Sequence, residues 1–253
     1  SNVTNMSNMF GGCYNLTTIP QLDTFNVTDM NYMFSGCSSL TSIPQLYTSN
    51  VTNMNGMFNF CTTLTTIPQL DTSNVTHMSN MFSGCVSLTS IPQLDTSEVT
   101  HMGSMFTYCK TLTSIPQLDT SKVTDMGNMF AYCDELISIP ELDCSSCFNG
   151  VYIFEPSTLY DDSSGLGGYS HLTDLGGFLN FGLATDFFGN RSDLDLRQLP
   201  VLTHDSMMNV INKVANIFDS GFKSIQFCKA LNGTLSDDEI AIAAGKGWNI
   251  EFV

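Results

Sequence analysis

Leu70-Asp-Thr-Ser-Asn-Val-Thr-His-Met-Ser-Asn-Met-Phe-Ser-Gly-Cys-Val-Ser-Leu-Thr-Ser-Ile-Pro92 is one turn of a pattern that fills more than half of this chain. Its skeleton, Val-Thr-x-Met-x-x-Met-Phe-x-x-Cys-x-x-Leu-x-x-Ile-Pro-x-Leu, recurs six times at a constant spacing of 24 residues. Phe10, Phe34, Phe58, Phe82, Phe106 and Phe130 mark the period, as do the cysteines from Cys13 to Cys133 and the prolines from Pro20 to Pro140. A fixed period in this range predicts a solenoid, in which each coil buries its apolar side only by stacking on its neighbours. Such folds work by presenting a long surface, so binding comes before any catalytic motif.

Within the first unit, Val3, Met6, Met9, Phe10 and Cys13 are apolar at helical steps, which predicts a short helix or helical turns. Leu16, Ile19 and Leu22 follow, and a short strand is placed near Thr17–Leu22 with Pro20 at its irregular edge. The expected fold is therefore an α/β solenoid, with short strands on one face and short helices or helical turns on the other. Identical side chains should stack at the strand spacing of about 4.8 Å, so six coils span roughly 29 Å.

The unit quoted above resembles the repeats of BspA-type leucine-rich-repeat surface proteins. That resemblance implies a right-handed leucine-rich-repeat superhelix. It also implies a role at a bacterial surface, often in adhesion, with similar repeats in phages of such bacteria. The closing segments Leu202-Thr-His-Asp-Ser-Met-Met-Asn-Val-Ile-Asn212 and Leu235-Ser-Asp-Asp-Glu-Ile-Ala-Ile-Ala-Ala-Gly-Lys-Gly-Trp248 resemble the C-terminal repeats of the same group.

The domain reading is one continuous solenoid: six repeats over 1–146, then longer irregular repeats and a cap over 147–253. The period breaks after Asp143, where Cys144-Ser-Ser-Cys147 replaces the usual Thr-Ser-x-Val, although Ile153-Phe154 still falls where Met-Phe would. Tyr160 to Tyr169 reads as a loop, Leu172, Leu175 and Phe178 as an intermediate unit, and Leu194–Leu196 as a strand. Thr203 should cap a helix over 204–217 that buries Met207, Ile211 and Val214. Ser224–Cys228 is expected to be a strand. Ser236 and Glu239 form a capping box, Gly245 and Gly247 end that helix, and Trp248–Val253 closes as a strand. Terminal repeats that depart from the array usually cap it.

The net charge is −16, from 24 acidic and 8 basic residues. This opposes nucleic-acid binding, which needs basic patches against phosphate, and docking on anionic lipid. No apolar run approaches a membrane span, so no direct membrane insertion is expected. The polar, weakly charged repeats suit an extracellular, secreted or cell-surface protein. The chain opens inside a repeat at Ser1-Asn2-Val3-Thr4, without initiator Met or signal peptide, which predicts an excised fragment or mature piece.

Six of the nine cysteines form one repeat column and read as buried thiols. Cys144-x-x-Cys147 lacks a second pair or nearby His; a local disulfide or two free thiols is favoured over zinc. Cys228 reads as core. His77 and His101 share a column in adjacent repeats, where a surface metal site competes with the favoured reading of a tolerant exposed position. His171 and His204 fit loop or capping roles. Asp23, Asp71, Asp95, Asp119 and Asp143 form an acidic column broken by Tyr47; calcium competes there with the favoured reading of bonds to turn amides. No catalytic order, phosphate loop or dinucleotide fingerprint appears, so neither an enzyme nor a cofactor is expected.

Variation between copies points to the ligand face. Gln45, Gln69, Gln93 and Gln117 are invariant beside a hydroxyl column, giving a uniform amide and hydroxyl ladder that suits a repetitive ligand such as a glycan. Position 12 and its equivalents read Gly, Gly, Phe, Gly, Tyr, Tyr, which makes Phe60, Tyr108 and Tyr132 a candidate aromatic patch. The expected partners are a protein or glycan on a host or neighbouring cell. The runner-up is a structural spacer or decoration domain of a cell surface or phage virion.

Overall fold

The computed structural model describes residues 2–147, 153, 174–175, 178–179, 194–196, 202–214, 223–227 and 229–253. Coils one to six begin at residues 2, 26, 50, 74, 98 and 122, and they stack in register as a solenoid. The buried columns are continuous. Met30, Met33, Phe34, Cys37 and Leu40 have no exposure, and their equivalents in the next four coils match them. The Phe rings from Phe10 to Phe130 lie nearly parallel, with centroids 5.5–5.8 Å apart. Each fully buried ring contributes about 2–3 kcal/mol of apolar transfer, so a column of six is a major part of the core.

The way coils are joined differs from the sequence expectation. The face read as helical carries consecutive turns, and it also carries the inter-coil backbone ladder. Alternate amides of one coil donate to the next coil's carbonyls: Met30 to Asn53, Tyr32 to Asn55, Phe34 to Met57 and Gly36 to Asn59, at 2.7–3.0 Å. The amides between them close turns within the coil, as in Met33 to Met30, Ser35 to Tyr32 and Cys37 to Phe34. Parallel bridges join Asn5, Asp29, Asn53, His77, His101 and Asp125 in sequence. Two positions per coil take positive φ, residues 8 and 12 and their equivalents, so no helix can form there.

The face read as a strand has no regular strand in coils one to five. Proline removes one amide per coil, and side chains replace the missing ladder. Gln45 donates through Nε2 to Gln69 O at 2.6 Å and to Leu46 O at 3.2 Å, and the other glutamines repeat this. Strands begin only in coil six: β1 (Ser138–Ile139) and β2 (Leu142–Asp143), split by Pro140, pair in parallel with β3 (Asp174–Leu175) and β4 (Phe178–Leu179). Ile153 continues the Met column, accepting from Phe130 N at 3.0 Å, while Phe154 lies outside the described residues.

The closing region is built conventionally. Strands β5 (Leu194–Leu196), β6 (Lys223–Phe227) and β7 (Trp248–Phe252) form a parallel sheet in the order β5-β6-β7. Helix α1 (His204–Lys213) is capped by Thr203 and buries Met207, Val210 and Ile211. It stops four residues before the expected end because Val214 turns extended, with ψ 147°, and buries its side chain. Helix α2 (Asp237–Ala244) has the Ser236–Glu239 capping box and ends at Gly245. β6 starts and ends one residue before the expected Ser224–Cys228; Cys228, Leu172, His171 and the Tyr160–Tyr169 segment lie outside the described residues. An ion pair between Lys213 and Glu141 ties α1 to coil six.

Candidate functional site: a groove along the glutamine ladder

An open groove of about 860 Å³ runs over coils two to five. Gln45, Gln69, Gln93 and Gln117 line it together with Asp71, Asp95 and Asp119 and with Thr72, Ser73, Thr96 and Ser97. Smaller hollows carry it to Gln21 and Tyr47 at one end and to Glu141 and Asp143 at the other. The four glutamines expected at a ligand face therefore stand together in one concave surface.

Their chemistry is narrower than an amide ladder suggests. Both Nε2 hydrogens of each glutamine go to backbone carbonyls, one in the next coil and one beside it. The carboxylates are organised by the chain that follows them. Asp71, Asp95 and Asp119 each accept through Oδ1 from the amide and the hydroxyl of a serine two residues on, at 2.6–3.2 Å. The Ser97 and Ser121 bonds, first the hydroxyl and then the amide, hold Asp95 and Asp119 below the usual carboxylate range. The turn-amide reading thus accounts for Oδ1 of this column, and no trio of His, Cys, Asp or Glu among the described residues is arranged to hold a metal. Thr72 and Thr96 give their hydroxyl hydrogens to Asp95 O and Asp119 O.

The aromatic candidates stand apart from the groove and do not line it. Tyr108 and Tyr132 stack at 4.2 Å between centroids, 10° from parallel. Phe60 does not join them: it lies over Gly84, where a Cβ would stand 2.7 Å from its Cδ1. Tyr32 covers Gly56 in the same way. Phe60, Tyr108 and Tyr132 all take positive φ, which is strained for a side chain of that size. These knob-and-gap pairs were missed in the sequence, although the signal was there: Gly56 and Gly84 each follow an aromatic 24 residues earlier.

Five of the six column cysteines, Cys37 to Cys133, are buried packing groups as expected, whereas Cys13 in coil one is exposed. Each thiol from Cys37 to Cys133 donates to the Phe carbonyl of the preceding coil at 3.1 Å. Burial pushes the thiols up, Cys37 to about 11 and Cys85 to about 12, so they carry no thiolate at neutral pH. Cys144 and Cys147 are buried and are not bridged by a disulfide. They occupy the Thr120 and Val123 columns, and Cys147 N donates to Cys144 O as Val123 N does to Thr120 O. His77 and His101 stack at 4.8 Å, with each Nδ1 on the neighbouring threonine hydroxyl at 2.7 and 2.8 Å.

No curated protein matches this chain at a significant level. Among solved structures it is similar to the T. pallidum leucine-rich-repeat protein TpLRR, at 22% identity over 62% of this chain and 73% of that one, with a TM-score of 0.43. It is also similar to TLR13, solved as a complex with ssRNA13, at 12% identity over 98% of this chain and 49% of that one, with a TM-score of 0.30. The family described as "Mycoplasma protein of unknown function, DUF285" matches residues 1–85, 39–143 and 63–164. Those overlapping matches run from residue 1 to residue 164 of 253, and the chain belongs to this family.

Proposed function

We propose that this chain is a non-enzymatic binding module of BspA-like type, part of an extracellular or cell-surface protein. It presents a repetitive polar groove to a glycan or protein on a host or neighbouring cell. The observation that carries this reading is the groove itself: the same amide, carboxylate and hydroxyl groups recur in coil after coil along a continuous concavity. A surface of that kind engages a repetitive ligand through many equivalent weak contacts, whose combined affinity far exceeds any one of them.

A glycan and extracellular-matrix array probed with the purified chain tests the reading. Binding that falls when groove residues are substituted supports it. If binding survives those changes but falls with Phe60, Tyr108 and Tyr132 all replaced by alanine, the ligand face moves to the aromatic side. Absence of any signal favours a structural spacer or decoration domain of a cell surface or phage particle. That second reading has its own support, since every glutamine of the ladder already gives one amide hydrogen to the next coil and the other to the carbonyl beside it.

A further inference from the structure

We infer that the groove selects a polymer bearing cationic amino groups: a hexosamine glycan with unacetylated nitrogens. This rests on the binding reading above and narrows it to a ligand class. The side-chain donors that line the groove are the glutamine amides and the serine and threonine hydroxyls. The glutamine hydrogens go to backbone carbonyls in every coil from Gln45 to Gln117. The serine hydroxyls at 73 and 97 go to Asp71 and Asp95, and those of Thr72 and Thr96 to Asp95 O and Asp119 O. What these side chains have left to offer are acceptors: Gln Oε1 and the second carboxylate oxygen of Asp71, Asp95 and Asp119. Among the described residues, no lysine or arginine lines the groove.

These side chains have no hydrogen left for a sulfate, carboxylate or phosphate, and the net charge of −16 repels all three. It asks for a ligand rich in N–H and O–H donors. Stacked carboxylates one coil apart also repel one another, and a row of ammonium groups relieves that repulsion. Uniformity decides between glycan and peptide. Gln45, Gln69, Gln93 and Gln117 are identical, as are Ser73, Ser97 and Ser121, so the groove makes the same demand at each coil. A glycan meets it with the same sugar repeated, whereas a natural peptide changes side chain along its length.

The test compares binding of the whole chain to a chitosan oligosaccharide and to a chitin oligosaccharide of the same length. Acetylation keeps an N–H donor and removes the charge. The expected result is about ten-fold weaker binding of chitin, the combined effect of several exposed ion pairs of ordinary strength, and weaker chitosan binding as salt rises. D71N/D95N/D119N should lose chitosan binding by a similar factor; D95N alone serves if the triple variant melts early. Equal binding of the two oligosaccharides overturns the inference, as does heparin binding, or poly-L-lysine binding more tightly than chitosan. Binding to other array glycans without preference for amines sinks this inference and leaves the binding module standing. Binding to nothing removes both.

Discussion

Coils one to six and the closing region of α1, α2 and β5–β7 solve the same problem by different means. In the coils the register is held by a backbone ladder that runs through irregular turns and by repeated side-chain contacts: stacked phenylalanines, thiols on carbonyls and a glutamine ladder. In the closing region it is held by backbone elements with ordinary caps and a three-stranded parallel sheet. Where every unit is a copy, any side chain that bonds forward in one coil bonds forward in all of them. Where units are not copies, the chain falls back on helices and strands that carry their own hydrogen bonds.

The sharpest way to break this contrast is Phe82→Ala. Phe82 is fully buried between Phe58 and Phe106, and its loss should cost about 3–5 kcal/mol, read as an early transition in denaturant melts. Because coils touch only their neighbours, the early transition should involve the coils and leave the signal of Trp248, in β7, largely unmoved. A single transition in which Trp248 moves together with the coils would show that the two regions unfold as one.

Gly84→Ala comes next. Its backbone has φ 76°, and the added methyl meets the Phe60 ring, so about 1–3 kcal/mol of destabilisation is expected. Phe60→Ala in the same chain should recover the part due to the clash but not the backbone part. Complete recovery in thermal melts would mean that the positive φ costs nothing. In the closing region, Ser236→Ala removes the hydroxyl that accepts from Glu239 N, leaves the backbone N–H of residue 236 on the Glu239 carboxylate, and should cost about 1 kcal/mol, with the coils unaffected.

The smallest effects are in pH, and the two regions should respond in opposite senses. Burial first, and then the neighbouring His101 ring, pushes His77 below its usual range. The unfolded chain, with a value of about 6.5, therefore takes up a proton before the folded one, and the coils lose stability as pH falls through that window. His204 is raised by its bond to Glu239 at 2.8 Å, then by Asp205, so its contribution is fully present at low pH and is lost as pH rises through the folded value. Melts of the His77→Asn and Glu239→Gln variants across this range should flatten one slope each. A parallel response in both regions would contradict the assignment.

The period made the solenoid, the buried columns and the gathered glutamines readable from sequence, because each is a question of which residue recurs. Direction was not readable. The apolar steps at Val3, Met6, Met9, Phe10 and Cys13 fit helical turns, but they do not reveal that alternate amides leave the coil to pair with the next one. That depends on positive φ in two columns, which Gly12, Gly36, Gly56, Gly84 and Asn8 hint at but which Tyr32 and Phe60 disguise. The capping box and Thr203 were legible because a cap is a local bond between residues three apart. Asp71, Asp95 and Asp119 were seen as a column, yet not as the wall of a groove, because which of their oxygens is already engaged can be known only in three dimensions.

The forward-donating ladder has a consequence for how such a protein can change length. Since each coil offers the same amides ahead and the same carbonyls behind, excising or duplicating 24 residues rejoins the backbone in register. Groove length, and with it the number of ligand units engaged, is then a matter of copy number. The aromatic knobs limit this freedom. Removing the coil that holds Gly84 would bring Phe60 against Tyr108, which the Tyr108–Tyr132 stack shows to be tolerable. Removing the one that holds Gly56 would set Tyr32 against Asn80, with no gap to receive it. Some coils can therefore be exchanged freely, and others must move as pairs.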